Sequence, residues 1–93
     1  MRLFWTQDAV RSRTSIFDYI EADNPAAALA LDVMFDDSVR LLLDHPDMGR
    51  PGRVPGTREL VVHPSYIIVY DVSGNRLRVL EVLHAARRWP PAS

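Results

Sequence analysis

The twelve residues from His45 to Gly56 read His-Pro-Asp-Met-Gly-Arg-Pro-Gly-Arg-Val-Pro-Gly, and they hold three of the chain's four glycines and three of its seven prolines. Proline removes an amide donor and glycine raises the entropy lost on ordering, so neither a helix nor a ladder strand is expected to run through this segment. It is read as a loop, and it separates two halves of the chain whose apolar residues repeat with different periods.

Before the loop the period is helical. Arg2 to Trp5 is a short apolar opening strand, and Thr6 is a candidate N-cap for a helix over residues 7 to 22 with Ala9, Ile16, Phe17 and Ile20 on its apolar stripe. Asn24-Pro25 then marks a second start, a capping side chain followed by a proline where no amide is needed. That helix has Ala27, Leu31, Met34, Phe35, Leu41 and Leu42 at helical spacing, leaves Asp32, Asp36, Arg40 and Asp44 to solvent, and stops near His45.

After the loop the period is that of strands. Thr57 to His63, Tyr66 to Val72 and Arg76 to His84 are β-rich and are parted by Pro64-Ser65 and by Ser73-Gly74-Asn75, which imply antiparallel hairpins. The last strand becomes apolar on both faces towards its middle, which places it inside the sheet. The order β-α-α-β-β-β gives an α+β fold of two layers, two helices on one face of a small, mainly antiparallel sheet, in a single domain over 1–93. The second sheet face is then expected to stand open.

Composition excludes several classes of function. The chain has no cysteine, which removes disulfides, thiolate nucleophiles and Cys-containing zinc sites. His45 and His63 show no ligand spacing, so neither a metal nor a cofactor is expected. No window approaches a membrane span, and the protein is expected to be cytoplasmic, with no membrane partner. The net charge of −1 hides an asymmetry: residues 1 to 49 carry four arginines against nine acids, and residues 50 to 93 carry seven against three. All eleven basic residues are arginine, for which a biased codon composition is the plainer explanation and the suitability of the planar fork for phosphate and carboxylate the functional one.

Trp5 before the first helix, Asn24-Pro25-Ala26-Ala27, Pro46-x-x-Gly49-Arg50, Gly56-Thr57-Arg58-Glu59-Leu60, Tyr66-Ile67-Ile68-Val69-Tyr70 and Val82-Leu83-His84-Ala85-Ala86-Arg87 occur in this order over nearly the whole chain. Together they resemble the RelE/ParE toxins of type II toxin-antitoxin systems. The resemblance implies a growth-arresting bacterial toxin held inactive by a cognate antitoxin, with DNA reached only through the antitoxin. Within the superfamily, RelE-type members cut mRNA in the ribosomal decoding site, and ParE-type members poison DNA gyrase without a catalytic centre of their own.

Arg58 matches a basic position of the nucleases, but Leu60 and Ile67 stand where further basic residues are expected, and Trp89 replaces a tyrosine. Trp89 cannot exchange a proton at useful pH. The phrase Leu83-His84-Ala85-Ala86-Arg87 is similar to ParE-type and plasmid-stabilisation toxins. The leading expectation is therefore a gyrase inhibitor, the alternative an mRNA interferase using Arg58, His84 and Arg87.

Arg50, Arg53, Arg58, Arg87, Arg88 and Trp89 are the candidate target- or antitoxin-binding residues, and each has a plainer reading beside it. Arg50 and Arg53 are solvated loop charges unless the target meets that loop, and Arg58 has Asp71 as an ordinary partner. His84 serves as a structural hydrogen-bonding residue, and Trp5 and Tyr66 are assigned to packing. Trp89 either caps the core or meets a partner. A carboxyl-terminal antitoxin segment is expected across the helices and the sheet edge, its acids paired with toxin arginines.

Overall fold

The computed structural model describes residues 1–86, 89 and 90. The element order is β1 (Arg2–Trp5), α1 (Gln7–Glu21), α2 (Pro25–Asp44), β2 (Arg50–Pro51), β3 (Arg58–His63), β4 (Tyr66–Ser73) and β5 (Arg76–His84). The strands form one sheet in the order β1-β5-β4-β3-β2, with β1 parallel to β5 and every other pair antiparallel. The two-layer α+β architecture expected from the sequence is present. The difference lies in β2, a two-residue edge strand inside the glycine-proline loop. Pro51 is tolerated there because an edge strand has one side on which no amide is needed.

Both helix starts rest on the caps named by the sequence. The Thr6 hydroxyl accepts the Ala9 amide at 3.2 Å and donates to the Leu80 carbonyl at 3.1 Å. Leu80 is the extra residue of a β-bulge, because Val69 pairs with Glu81 and Tyr70 with Val79. The cap of α1 therefore also satisfies a carbonyl at the bulge of β5, and the Thr6 amide bonds Val79 O at 3.1 Å. The Asn24 side chain accepts the Ala27 amide at 3.1 Å, with Pro25 at the first helical position.

The core lies between α2 and the sheet. From α2 it takes Ala28, Leu31, Phe35, Val39 and Leu42, and from the sheet Ile68, Tyr70, Leu77, Val79 and Val82. This corrects three expected core positions: Ala27 is exposed, and Met34 and Leu41 are 41% and 48% exposed. The buried stripe follows one straight column of the helix, and the expected residues straddled it and its neighbour. In α1, Ala9 is fully buried and Ile16 and Ile20 pack at the rim, whereas Phe17 is only half-buried.

The second sheet face is not open throughout. Ile67, Val69 and Leu83, which point away from the helices by alternation with the core residues of their strands, are at most 3% exposed. Glu59 is buried on that face too. Towards β1 the face is exposed at Arg2 and Arg76.

Candidate functional site

The glycine-proline loop is fixed to the sheet at three levels. Deepest is Tyr70, fully buried in β4, whose hydroxyl donates to Pro46 O at 2.8 Å and accepts the Gly49 amide at 2.9 Å. Burial raises the pKa of this phenol above its ordinary value, and the Gly49 bond works against that shift. Glycine is required at 49 because a Cβ would stand 2.6 Å from the Tyr70 oxygen.

Arg58 supplies the second level. Its Nη1 donates to Gly49 O at 2.7 Å and to Asp47 O at 3.3 Å. The expected Arg58–Asp71 pair is therefore corrected. Asp71 is held by Arg78, which pairs with it in register and forms a two-pronged contact at 3.0 and 2.7 Å. Arg58 lies on the other side of β4, on β3, level with Tyr70.

Glu59 is the third level. Its buried carboxylate accepts the Arg53 amide at 3.0 Å and meets Arg53 Nε at 3.3 Å and Arg50 Nη2 at 3.4 Å. Arg50 and Arg53 thus depart from the reading as free solvated charges: each spends part of its guanidinium on Glu59 while its side chain remains 56% and 38% exposed, respectively. Gly52 N bonds Thr57 O at 2.8 Å, and the Thr57 hydroxyl donates to Val54 O at 2.6 Å, which closes the turn between β2 and β3. The structure brings Arg50 and Arg53 of this loop and Arg58 of β3 together around the one segment.

His84 stands elsewhere. It pairs across the sheet with Tyr66, which also pairs with His63. The Tyr66 ring contacts Phe35, His63 and His84 at centroid distances of 6.0, 5.9 and 5.4 Å, so its assignment to packing agrees with its surroundings. His84 Nδ1 accepts the Ala86 amide at 3.2 Å, and His63 Nδ1 accepts the Ser65 amide at 3.0 Å. Arg58 is level with Tyr70 on β4 and His84 with Tyr66, four residues along and across two strand spacings. Standard strand dimensions put their backbones about 16 Å apart.

A polar groove of about 580 Å³ runs beside His84 between α1 and the sheet, lined by Arg11, Ser12, Ser15, Tyr19 and Tyr66 among others. A second groove of about 540 Å³ lies on the helical side around Trp5, Val10, Phe17 and Arg13. Sequence reasoning missed Arg13. Its guanidinium makes a two-pronged contact to Asp32 at 2.6 and 3.0 Å, reaches Asp36 at 3.0 Å, and lies 4.8 Å from the Trp5 ring centroid. The Asp32 hydrogen bond is the chief reason its pKa is raised further. Asp32 is therefore half-buried rather than left to solvent, and Asp36 is paired while remaining exposed as expected. Their spacing of four residues puts both on one helix face, the signal that could have found the cation between them.

Arg87 and Arg88 lie outside the described residues, and Trp89 is half-buried. Among the described residues no group of three or more histidine or acidic side chains is placed to hold a metal ion, and no helix is long and apolar enough to cross a membrane.

Comparison with known proteins agrees with this architecture. Residues 3–89 match the family model for the ParE toxin of the type II toxin-antitoxin system parDE. Y4kP of Sinorhizobium fredii, whose name calls it a toxin, is 41% identical over 90 residues, covering 96% of this chain and 93% of that protein. Toxin RelE2 of Caulobacter vibrioides is 34% identical over 86 residues, covering 92% and 97%. Among solved structures, a chain of the chromosomal ParDE toxin-antitoxin system from P. aeruginosa superposes with a TM-score of 0.79 at 26% identity, covering 90% of this chain and 95% of that one. The YoeB/ParE toxin from Agrobacterium tumefaciens shares the fold at a TM-score of 0.66 and 20% identity, covering 90% and 98%. From the sheet order to the family match over residues 3–89, the chain belongs to the ParE toxins of type II toxin-antitoxin systems, within the wider RelE/ParE superfamily.

Proposed function

We propose that this toxin arrests growth by binding DNA gyrase, without catalysis of its own, and that its antitoxin neutralises it by covering the surfaces that gyrase would meet. The separation of Arg58 from His84 carries this choice. Cleavage of RNA at its own 2′-hydroxyl needs a base, an acid and a cation around one phosphate, within hydrogen-bonding reach of the reacting atoms. The backbones of Arg58 and His84 stand about 16 Å apart by standard strand dimensions, and the Arg58 guanidinium is already turned to the Gly49 and Asp47 carbonyls. In this reading Arg50 and Arg53, oriented by Glu59 but partly exposed, form a prearranged contact surface, and Arg87, Arg88 and Trp89 are further contact residues.

The name of the Caulobacter relative, toxin RelE2, favours a second reading, ribosome-dependent mRNA cleavage with Arg58, His84 and Arg87. The test is a gyrase supercoiling reaction with ATP, using toxin freed of antitoxin. A parallel reaction with ribosome-bound mRNA uses the same preparation. Inhibited supercoiling with linear DNA and intact mRNA supports the first reading, and cut mRNA with unaffected gyrase supports the second.

A further inference from the structure

On the sheet face away from the helices, Arg2 and Arg76 are direct register partners of β1 and β5. Like charges placed opposite each other on neighbouring strands repel and are ordinarily avoided. Here both guanidinium groups gather on one ring: their central carbons lie 5.4 and 5.3 Å from the Phe4 centroid. Both side chains are exposed, and neither makes an ion pair or a side-chain hydrogen bond among the described residues. Arg78, which pairs in register with Phe4, is different, because Asp71 neutralises it. The two uncompensated charges therefore stand side by side at the exposed end of the face.

We infer that the Arg2–Phe4–Arg76 patch itself binds the phosphate backbone of duplex DNA, in departure from the expectation that DNA is reached only through the antitoxin. Two fixed forks in equal register suit phosphate oxygens, and binding to a sugar-phosphate backbone requires positive charge but no anchoring pocket. A peptide partner draws most of its affinity from an aromatic or aliphatic anchor in a pocket, and the two cations over Phe4 take up the apolar surface that could serve as one. The same cover keeps unpaired bases from stacking on that ring, so duplex is favoured over single-stranded nucleic acid. The charge layout orients the approach. Between Asp8 and Asp44 the helical segments and their connecting turn carry eight acids against three arginines, so the helical layer is turned away from a polyanion and the β1–β5 end towards it.

The binding test uses toxin and DNA alone, so its outcome does not depend on which cellular target the toxin inhibits. Fluorescence anisotropy of a labelled duplex of arbitrary sequence is followed over a salt series, for the wild type, for Arg2→Gln with Arg76→Gln, and for Arg11→Gln with Arg40→Gln, which removes equal charge from the helical layer. Circular dichroism establishes that each variant is folded. The inference predicts weak, sequence-independent binding by the wild type. In the Arg2/Arg76 variant the slope of log affinity against log salt falls by about 2, roughly 0.9 for each phosphate that is no longer neutralised. The control pair keeps the wild-type slope. Equal loss in both variants, no loss in either, or no binding by the wild type at low salt overturns the inference. So does unchanged DNA binding by the Arg2/Arg76 variant accompanied, in a separate titration with the antitoxin, by loss of antitoxin affinity, which would make the patch a protein interface.

Discussion

The hydroxyl of Tyr70, buried in the middle of the sheet, accepts the amide of Gly49 at 2.9 Å and so ties the interior of β4 to the loop that carries the exposed arginines. With its second bond to Pro46 O at 2.8 Å, one side chain satisfies a donor and an acceptor of a segment with little regular structure. The positions of Arg50 and Arg53 therefore depend on core packing as well as on their own contacts.

Tyr70→Phe leaves the Gly49 amide and the Pro46 carbonyl without their partner, at an expected cost of about 1–3 kcal/mol. Gly49→Ala pushes a methyl group against the same hydroxyl and should cost at least as much. Urea denaturation of the two variants and the double variant measures this. The double variant should be somewhat less destabilised than the sum of the single ones, because the hydroxyl no longer presses on the methyl, while the ring carbons at 2.7 and 3.0 Å still do.

The raised pKa of Tyr70 gives a pH dependence with a definite sign. Above pH ~10 the unfolded chain loses the phenolic proton while the folded chain keeps it, so the unfolded state binds fewer protons and stability falls as pH rises. The contribution is complete below the unfolded pKa and is lost above it, as pH climbs towards the raised folded value. Tyr70→Phe lacks this loss. Its stability deficit relative to the wild type should narrow above pH ~10 in denaturation curves.

Arg13 locks the helical hairpin, joining α1 to Asp32 and Asp36 of α2 while covering Trp5. Arg13→Ala should cost about 2 kcal/mol, discounted for the partly exposed carboxylates, and alter Trp5 emission. Arg13→Lys keeps the charge but not the fork, and should recover less than half of that loss.

Glu59→Gln removes the charge that Arg50 and Arg53 share but preserves shape. The expected loss is about 1–2 kcal/mol, because both arginines can turn to water when the buried carboxylate is gone. Hydrogen exchange at the Arg53 amide, bonded to Glu59 at 3.0 Å, should speed up well before global unfolding. Unchanged exchange would mean that the turn holds itself without Glu59.

Where the signal was local, the sequence was explicit. Thr6 and Asn24-Pro25 begin the helices because a capping oxygen and a missing amide act within one turn, and Gly74, at φ +59°, closes the β4–β5 hairpin where only glycine is comfortable. The superfamily was also legible, since motifs spread over the chain had to occur in one order. The interactions across long separations were hidden. Tyr70 is 21 residues from Gly49 and Arg13 is 19 from Asp32, and no periodicity reports which side chains meet at such distances. Arg58 shows the consequence: Asp71 was a sound choice by strand chemistry, but register placed Arg78 nearer and turned Arg58 towards the loop. The slip from Ala28 to Ala27 on α2 is the lesser kind of error, one column on a helix whose outer face also carries Leu29, Val33 and Leu41.

The most direct measurement of target choice is supercoiling by gyrase in the presence of ATP, comparing wild-type toxin with His84→Ala and with Arg58→Ala, and with ribosome-bound mRNA assayed beside it. Wild-type toxin is expected to block supercoiling with accumulation of linear DNA, His84→Ala to block it nearly as well, and mRNA to stay intact. Unaffected gyrase together with mRNA cut in the decoding site, abolished by either substitution, would contradict this expectation.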